Sequence, residues 1–266
     1  MTQRLMAAAV GLALLLPAVV YGGETAVEVL LWLVGVVCAA EFASMAFPDD
    51  RWTGGVAVYL GFGTLLAAAA HGPPGAVGAA AGWLVVVAMV FSTFRAGDLA
   101  RSSDRAARMV LGAGWIAQLA FLLLLRRQEH GLGWVFLVLA ASWLGDTGGY
   151  FAGRFFGRTP LYPRVSPKKT WEGALGGITL ATVGTFVIRA VALPELSSLD
   201  AAILGPALCV AGIVGDLAES MLKRSFDVKD SGWIMPGHGG LLDRIDSVLF
   251  VAPTLYAWVA LVEGGR

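Results

Sequence analysis

The chain has 266 residues, of which 57% are hydrophobic and 14% charged, and its net charge is zero. A water-soluble domain carries about 25% charged residues, so this composition, with a mean hydropathy of +0.73, excludes an ordinary soluble enzyme and predicts an all-α, polytopic membrane protein. Zero net charge offers no basis for a nucleic-acid partner, and Cys38 and Cys209 lie inside apolar runs without zinc spacing, which reads as two small buried hydrophobes.

In chain order, nine segments approach the ~20 residues that cross a bilayer: 5–21, 25–47, 53–70, 74–94, 107–125, 131–152, 170–192, 199–222 and 244–262. The first, with Arg4 ahead of an apolar run and small residues behind it, also has the make-up of a cleaved signal peptide. Nine spans with a cytoplasmic N-terminus put every Lys and Arg except Arg126, Arg127, Arg189 and Arg266 on the cytoplasmic side. The positive-inside rule therefore predicts N-terminus inside, C-terminus outside, and both polar loops of the C-terminal half on the cytoplasmic face. Residues 1–130 read as helices for packing and lipid access, and 131–266 as the helices carrying the chemistry, within one integral membrane unit.

The N-terminal half holds little chemistry. Its Gly and Ala content suits close helix packing in lipid. Glu41 is an exception, a carboxylate inside the second span; it pairs with a cation, lines a polar cavity, or reaches water at the interface. The stretch Arg95–Arg108 reads as a topology determinant or as a basic surface for anionic lipid.

The first informative region is 142–173. Asp146 lies toward the cytoplasmic end of the sixth span, where a carboxylate needs a cation, a metal or water. Gly148, Gly149, Gly153 and Gly157 follow; they serve helix packing or close backbone approach to a ligand. Then comes Ser166-Pro167-Lys168-Lys169-Thr170-Trp171-Glu172-Gly173. Pro167 suits the first turn of a helix, which predicts Ser166 as its N-cap. Free N–H groups, the positive helix end and two lysines would then meet, as in a phosphate site. The plainer reading is a cap with two snorkelling lysines.

The second region is the densest in charge. Asp216, Glu219 and Lys223 are spaced i, i+3, i+7 and share one helical face. Arg224, Lys229 and Asp230 follow, then Pro236 and Gly237-His238-Gly239-Gly240, then Asp243-Arg244-Ile245-Asp246. The eighth and ninth spans form an antiparallel hairpin, so Asp216 and Asp243 are expected at its cytoplasmic end. Carboxylates gathered there repel unless a cation intervenes, and oxygen-only ligands favour magnesium. Taken singly, Asp243 and Asp246 read equally as helix-capping acids, Lys223 and Arg224 as anchors, and His238 as a turn residue.

The stretch Ser220–Asp246 resembles the signature of the phosphatidate cytidylyltransferase (CDP-diacylglycerol synthase) family. The match falls on Ser220, Leu222, Lys223, Arg224, Lys229, Asp230, Gly232, Pro236, His238, Gly239, Gly240, Leu241, Asp243, Arg244, Ile245 and Asp246. Met235 stands where Leu, Ile or Phe is usual, a swap that preserves volume. The surroundings of Asp146 and Ser166–Thr170 are similar to the family as well, so the resemblance covers 142–246.

The resemblance implies transfer of CMP from CTP to phosphatidic acid, giving CDP-diacylglycerol and pyrophosphate. It implies magnesium at a paired-cation site on Asp216 and Asp243, with potassium associated, and a homodimer of multi-span subunits in the cell membrane. Lys223, Arg224 and Asp246 join those acids as expected catalytic residues. Asp146, Ser166, Lys168, Lys169, Thr170, Lys229, His238, Gly239, Gly240 and Arg244 are expected to contact substrate. Two other readings remain: a related CTP-dependent enzyme acting on another lipid, such as a polyprenol kinase, and an anion transporter. Charges gathered on one face, with no inverted repeat, argue against the transporter.

Overall fold

The computed structural model describes residue 17 and residues 19–95, 99–232 and 239–263. Almost all regular structure in it is helical, as lipid requires of a chain that must satisfy its own backbone polar groups. Helices α1 (Gly23–Ala46), α2 (Arg51–His71), α3 (Ala76–Phe94) and α4 (Ser102–Ile116) come first. A short 3₁₀ turn and α5 (Ala120–Arg126) continue α4, and α6 (Gly131–Phe156) follows. Strands β1 (Pro160–Tyr162) and β2 (Ser166–Thr170) precede α7 (Trp171–Ala192) and α8 (Ser198–Ser225). The chain closes with α9 (Leu242–Ile245), α10 (Val248–Trp258) and a π turn, Val259–Glu263.

Among the described residues, eight helical segments are long and apolar enough to cross a membrane. They match the second to ninth expected spans, and the chain is an all-α polytopic membrane protein. The first expected span, 5–21, lies almost wholly outside the described residues. The fifth differs most: expected over 107–125, it runs from Leu99 to Arg126. Its first turns are polar, with Arg108 held to Asp104 at 2.7 Å and to the Ala46 carbonyl at 2.9 Å. Hydropathy alone does not see a helix stabilised that way. Cys38 and Cys209 are free and buried, as expected.

The contacts form two compact units. The first comprises 1–124 with 230–243, and the second 125–229 with 244–266. The described residues 230–232 and 239–243 thus group with the N-terminal helices. In the first unit α2 packs against α1, α3 and α4.

In the second unit α6 packs along α7, α7 along α8, and α8 against α10. Small residues make the α6–α7 approach possible: a Cβ on Gly148 would meet the Gly176 carbonyl oxygen at 2.5 Å and Leu180 Cβ at 2.9 Å. The Gly149-x-x-x-Gly153 stretch faces the same partner, with Gly173 close to both. Close packing in lipid depends on such absent side chains.

Ser166 is not the N-cap that the sequence predicts. Ser166–Thr170 is a strand, antiparallel to Pro160–Tyr162 in the register Pro160↔Thr170 and Tyr162↔Ser166. The residue before a proline is pushed out of the helical region toward extended backbone, and Ser166 precedes Pro167. The helix begins four residues later. Thr170 is extended, with φ −127° and ψ 157°, and its Oγ1 accepts from Gly173 N–H at 3.1 Å. Glu172, in the first turn, accepts from the N–H groups of Arg158 and Thr159 at 3.1 and 3.2 Å. One acid thus complements the helix N-terminus and holds the turn entering β1.

Candidate active site

A cavity of about 270 Å³ opens in the second unit, between the C-terminal part of α6, strand β2, the start of α7 and the C-terminal part of α8. Its wall includes Gly145, Asp146, Gly149 and Tyr150 from α6, and Lys168, Lys169 and Thr170 from β2. Gly173 and Ala174 of α7, Ile213 and Asp216 of α8, and Leu161 complete it. Two lysines, two carboxylates and a helix N-terminus therefore share one apolar-walled opening. Both lysines line the cavity although they are neighbours along β2.

Lys169 Nζ lies 2.6 Å from Asp216 Oδ2, and Ser220 Oγ donates to Asp216 Oδ1 at 3.3 Å. Asp146 lies within electrostatic reach of Asp216, Lys169 and Arg244, and Asp246 within reach of Asp216 and Asp146. Three carboxylates, Asp146, Asp216 and Asp246, thus gather with three cations, Lys168, Lys169 and Arg244. Asp246 is buried and accepts from Ser247 N–H at 2.7 Å.

Other expected residues are placed differently. Lys223 is buried and donates to the equally buried Glu219 at 2.9 Å, and it does not line the cavity. Arg224 is exposed and donates to the Val228 carbonyl at 3.2 Å, fastening the turn that ends α8. Lys229 and Arg244 are exposed. His238 lies outside the described residues.

Asp243, in the first unit, holds its loop together. Its Oδ2 accepts from Ser231 N–H at 3.0 Å, Ser231 Oγ at 2.8 Å and Gly240 N–H at 2.7 Å. Gly239 has φ +80°, a left-handed conformation that favours glycine, and a Cβ there would run into that same carboxylate oxygen. Sequence reasoning missed Glu41 as a partner of this loop; a carboxylate deep in an apolar stretch of its span was the only signal. It also missed Tyr150 and Ile213, whose helical spacing marks them only as half-polar or apolar wall.

Among the described residues, no group of three or more His, Cys, Asp or Glu side chains stands close enough to be a preformed metal site. The donor chemistry of the second unit nevertheless fits a hard cation, because Asp146, Asp216 and Asp246 offer oxygen alone. Substrate phosphates supply the remaining ligands in many magnesium sites, so an incomplete protein shell is compatible with that ion.

The fold and cavity define a multi-pass membrane protein with an acid–base site between helix ends. The Cytidylyltransferase family profile matches residues 2–262, and the chain belongs to that family. It is 46% identical over 133 residues to the phosphatidate cytidylyltransferase of Bacillus subtilis, covering 50% of this chain and 49% of that one. The Mycobacterium bovis protein of the same name is 38% identical over 204 residues, covering 71% and 65%. That of Thermotoga maritima is 43% identical over 143 residues, covering 52% and 53%. The chain thus spans about half to two thirds of the length of these curated relatives.

Proposed function

We propose that the protein transfers CMP from CTP to phosphatidic acid, releasing pyrophosphate and forming CDP-diacylglycerol for phospholipid synthesis. The observation that carries this reading is the cavity joining Lys168, Lys169, Asp146 and Asp216, in a chain whose relatives bear the name of that enzyme.

A phosphate oxygen of the lipid attacks the α-phosphorus of CTP. A new P–O bond forms as the bond to the β-phosphate oxygen breaks, and pyrophosphate leaves with the electron pair. The attacking phosphate is already an anion, so no strong general base is required. Lys168 and Lys169 neutralise the triphosphate and the departing pyrophosphate, an electrostatic contribution that grows as charge builds on the leaving group. The positive N-terminal end of α7 adds to it. Asp216 and Asp243 would hold magnesium, with potassium as its companion, and the ion would supply neutralisation of phosphate charge. Asp246 and Arg244 set the charge around Asp216. The acyl chains stay in the bilayer while the headgroup reaches the rim.

By the distribution of Lys and Arg, the site faces the cytoplasm, where CTP is found, in a multi-pass protein of the cell membrane. A homodimer is the assembly the family resemblance implies. The decisive experiment is purified protein with phosphatidate, labelled CTP and magnesium. CDP-lipid and pyrophosphate are expected. CDP release with a phosphorylated lipid instead indicates a kinase, and no product from any lipid phosphate overturns the reading. A cysteine placed at Arg164 should react with impermeant reagent in inside-out vesicles only; labelling of intact cells contradicts the orientation.

A further inference from the structure

Glu41 sits in the C-terminal part of α1 and is 4% exposed. A carboxylate there is costly unless its charge is met. What meets it lies about two hundred residues away in sequence. Glu41 Oε1 accepts from Leu241 N–H at 2.9 Å, and Oε2 accepts from Leu242 N–H at 2.8 Å and from Ser231 Oγ at 3.3 Å. Both oxygens are used.

Ser231 is shared. Its single hydroxyl proton is directed to Asp243 Oδ2 at 2.8 Å and only shared with Glu41 Oε2 at 3.3 Å, so Glu41 and Asp243 meet at one hydroxyl and hold the described parts of one loop, Ser231–Gly232 and Gly239–Asp243. The fit is tight: a Cβ on Gly232 would lie 2.5 Å from Glu41 Oε1, and one on Gly240 would collide with Glu41 Oε2 and Ser231 Oγ. The glycines at 232 and 240 thus make room for this carboxylate.

We propose that Glu41 is a positioning residue that fixes the orientation of the Asp243 carboxylate through Ser231 and the amides of Leu241 and Leu242. The inference rests on the reading that Asp243 serves the active centre. Its chemistry requires a carboxylate. Glutamine offers one acceptor oxygen, and its NH₂ would turn a donor toward a backbone N–H. Charge-assisted bonds to buried amides are among the stronger ones, so their loss should be measurable in the metal-free protein.

The experiment compares wild type with Glu41→Gln and Ser231→Ala in two assays. Hydrogen exchange of the Leu241 and Leu242 amides, without metal or nucleotide, should quicken about tenfold or more in Glu41→Gln. Half-saturating magnesium in CDP-lipid formation should rise about tenfold, with the phosphatidate KM held within about twofold. Ser231→Ala keeps both backbone bonds, so it should leave amide protection intact while raising the magnesium requirement by a smaller factor. Unchanged exchange in Glu41→Gln overturns the proposal. So does a fall in kcat with no change in magnesium requirement. Should Glu41→Gln fail to fold, an unaltered magnesium requirement in Ser231→Ala overturns it equally. Absence of CDP-lipid formation by wild type would refute the proposed function alone, and the exchange measurement would still decide the grip of Glu41 on the segment.

Discussion

Lys169 Nζ approaches Asp216 Oδ2 to 2.6 Å, tying strand β2 to the C-terminal part of α8 across the cavity. The side chains are 24% and 30% exposed, and such half-open pairs contribute only about 0–1 kcal/mol. The pair is therefore cheap to break, and on the proposed function Asp216 would be freed for a cation and Lys169 for a phosphate oxygen.

Asp216→Asn is expected to lower CDP-diacylglycerol formation by about a hundredfold or more, with the protein still folded in the membrane. Product formation from labelled CTP at saturating magnesium checks this. Turnover near the wild-type level would remove Asp216 from the reaction.

Lys168→Ala keeps the Lys169–Asp216 pair and removes one cation from the cavity rim. The KM for CTP should rise about tenfold, and that for phosphatidate should change less than about twofold. Steady-state kinetics with each substrate varied in turn distinguishes the two, and the reverse order would contradict a triphosphate contact.

Lys223 and Glu219 form a buried pair at 2.9 Å. Breaking such a pair from one side costs about 3–5 kcal/mol, because the other charge stays buried alone. Lys223→Met should therefore lower the thermal midpoint in detergent sharply, and adding Glu219→Leu should restore part of the loss. A folded, fully stable Lys223→Met enzyme with a raised KM for CTP would instead make Lys223 a substrate contact.

Thr170 caps α7 at the cavity wall. Thr170→Ala should cost about 1 kcal/mol of stability, and Thr170→Ser, which keeps the acceptor oxygen, should cost less. Thermal unfolding of the three proteins in the same detergent tests the ordering.

Gly148→Ala would place a methyl group against the Gly176 carbonyl where α6 and α7 touch. Overpacking of this kind costs about 1–3 kcal/mol. Gly78→Ala, where a Cβ meets nothing within 4 Å, should leave the thermal midpoint unlowered or slightly raised, because alanine is the better helix former.

Much of this was legible from residues alone. The spans from α1 onward follow from hydropathy, since a chain in lipid must close its backbone hydrogen bonds locally. Asp146, Lys168, Lys169 and Asp216 stood out because charge beside membrane helices is costly without a partner. Ser166 misled: Pro167 suits a helix start, and it also forces its predecessor into extended backbone. Pairing with Pro160–Tyr162 selected the strand, and pairing is a property of two segments.

Sequence by itself determined the membrane class, the helical spans and the types of residue able to handle phosphate. These rest on local terms, namely transfer energy and short-range backbone geometry. Tertiary structure alone decided that Lys169 meets Asp216 and that Lys223 turns inward to Glu219. It also decided that Glu41 of the first described span holds the N–H groups of Leu241 and Leu242. Each is a hydrogen bond or ion pair between side chains or segments, and i, i+4 spacing or a lone acid permits several such partners. Packing brings one of them within reach and removes water from the rest.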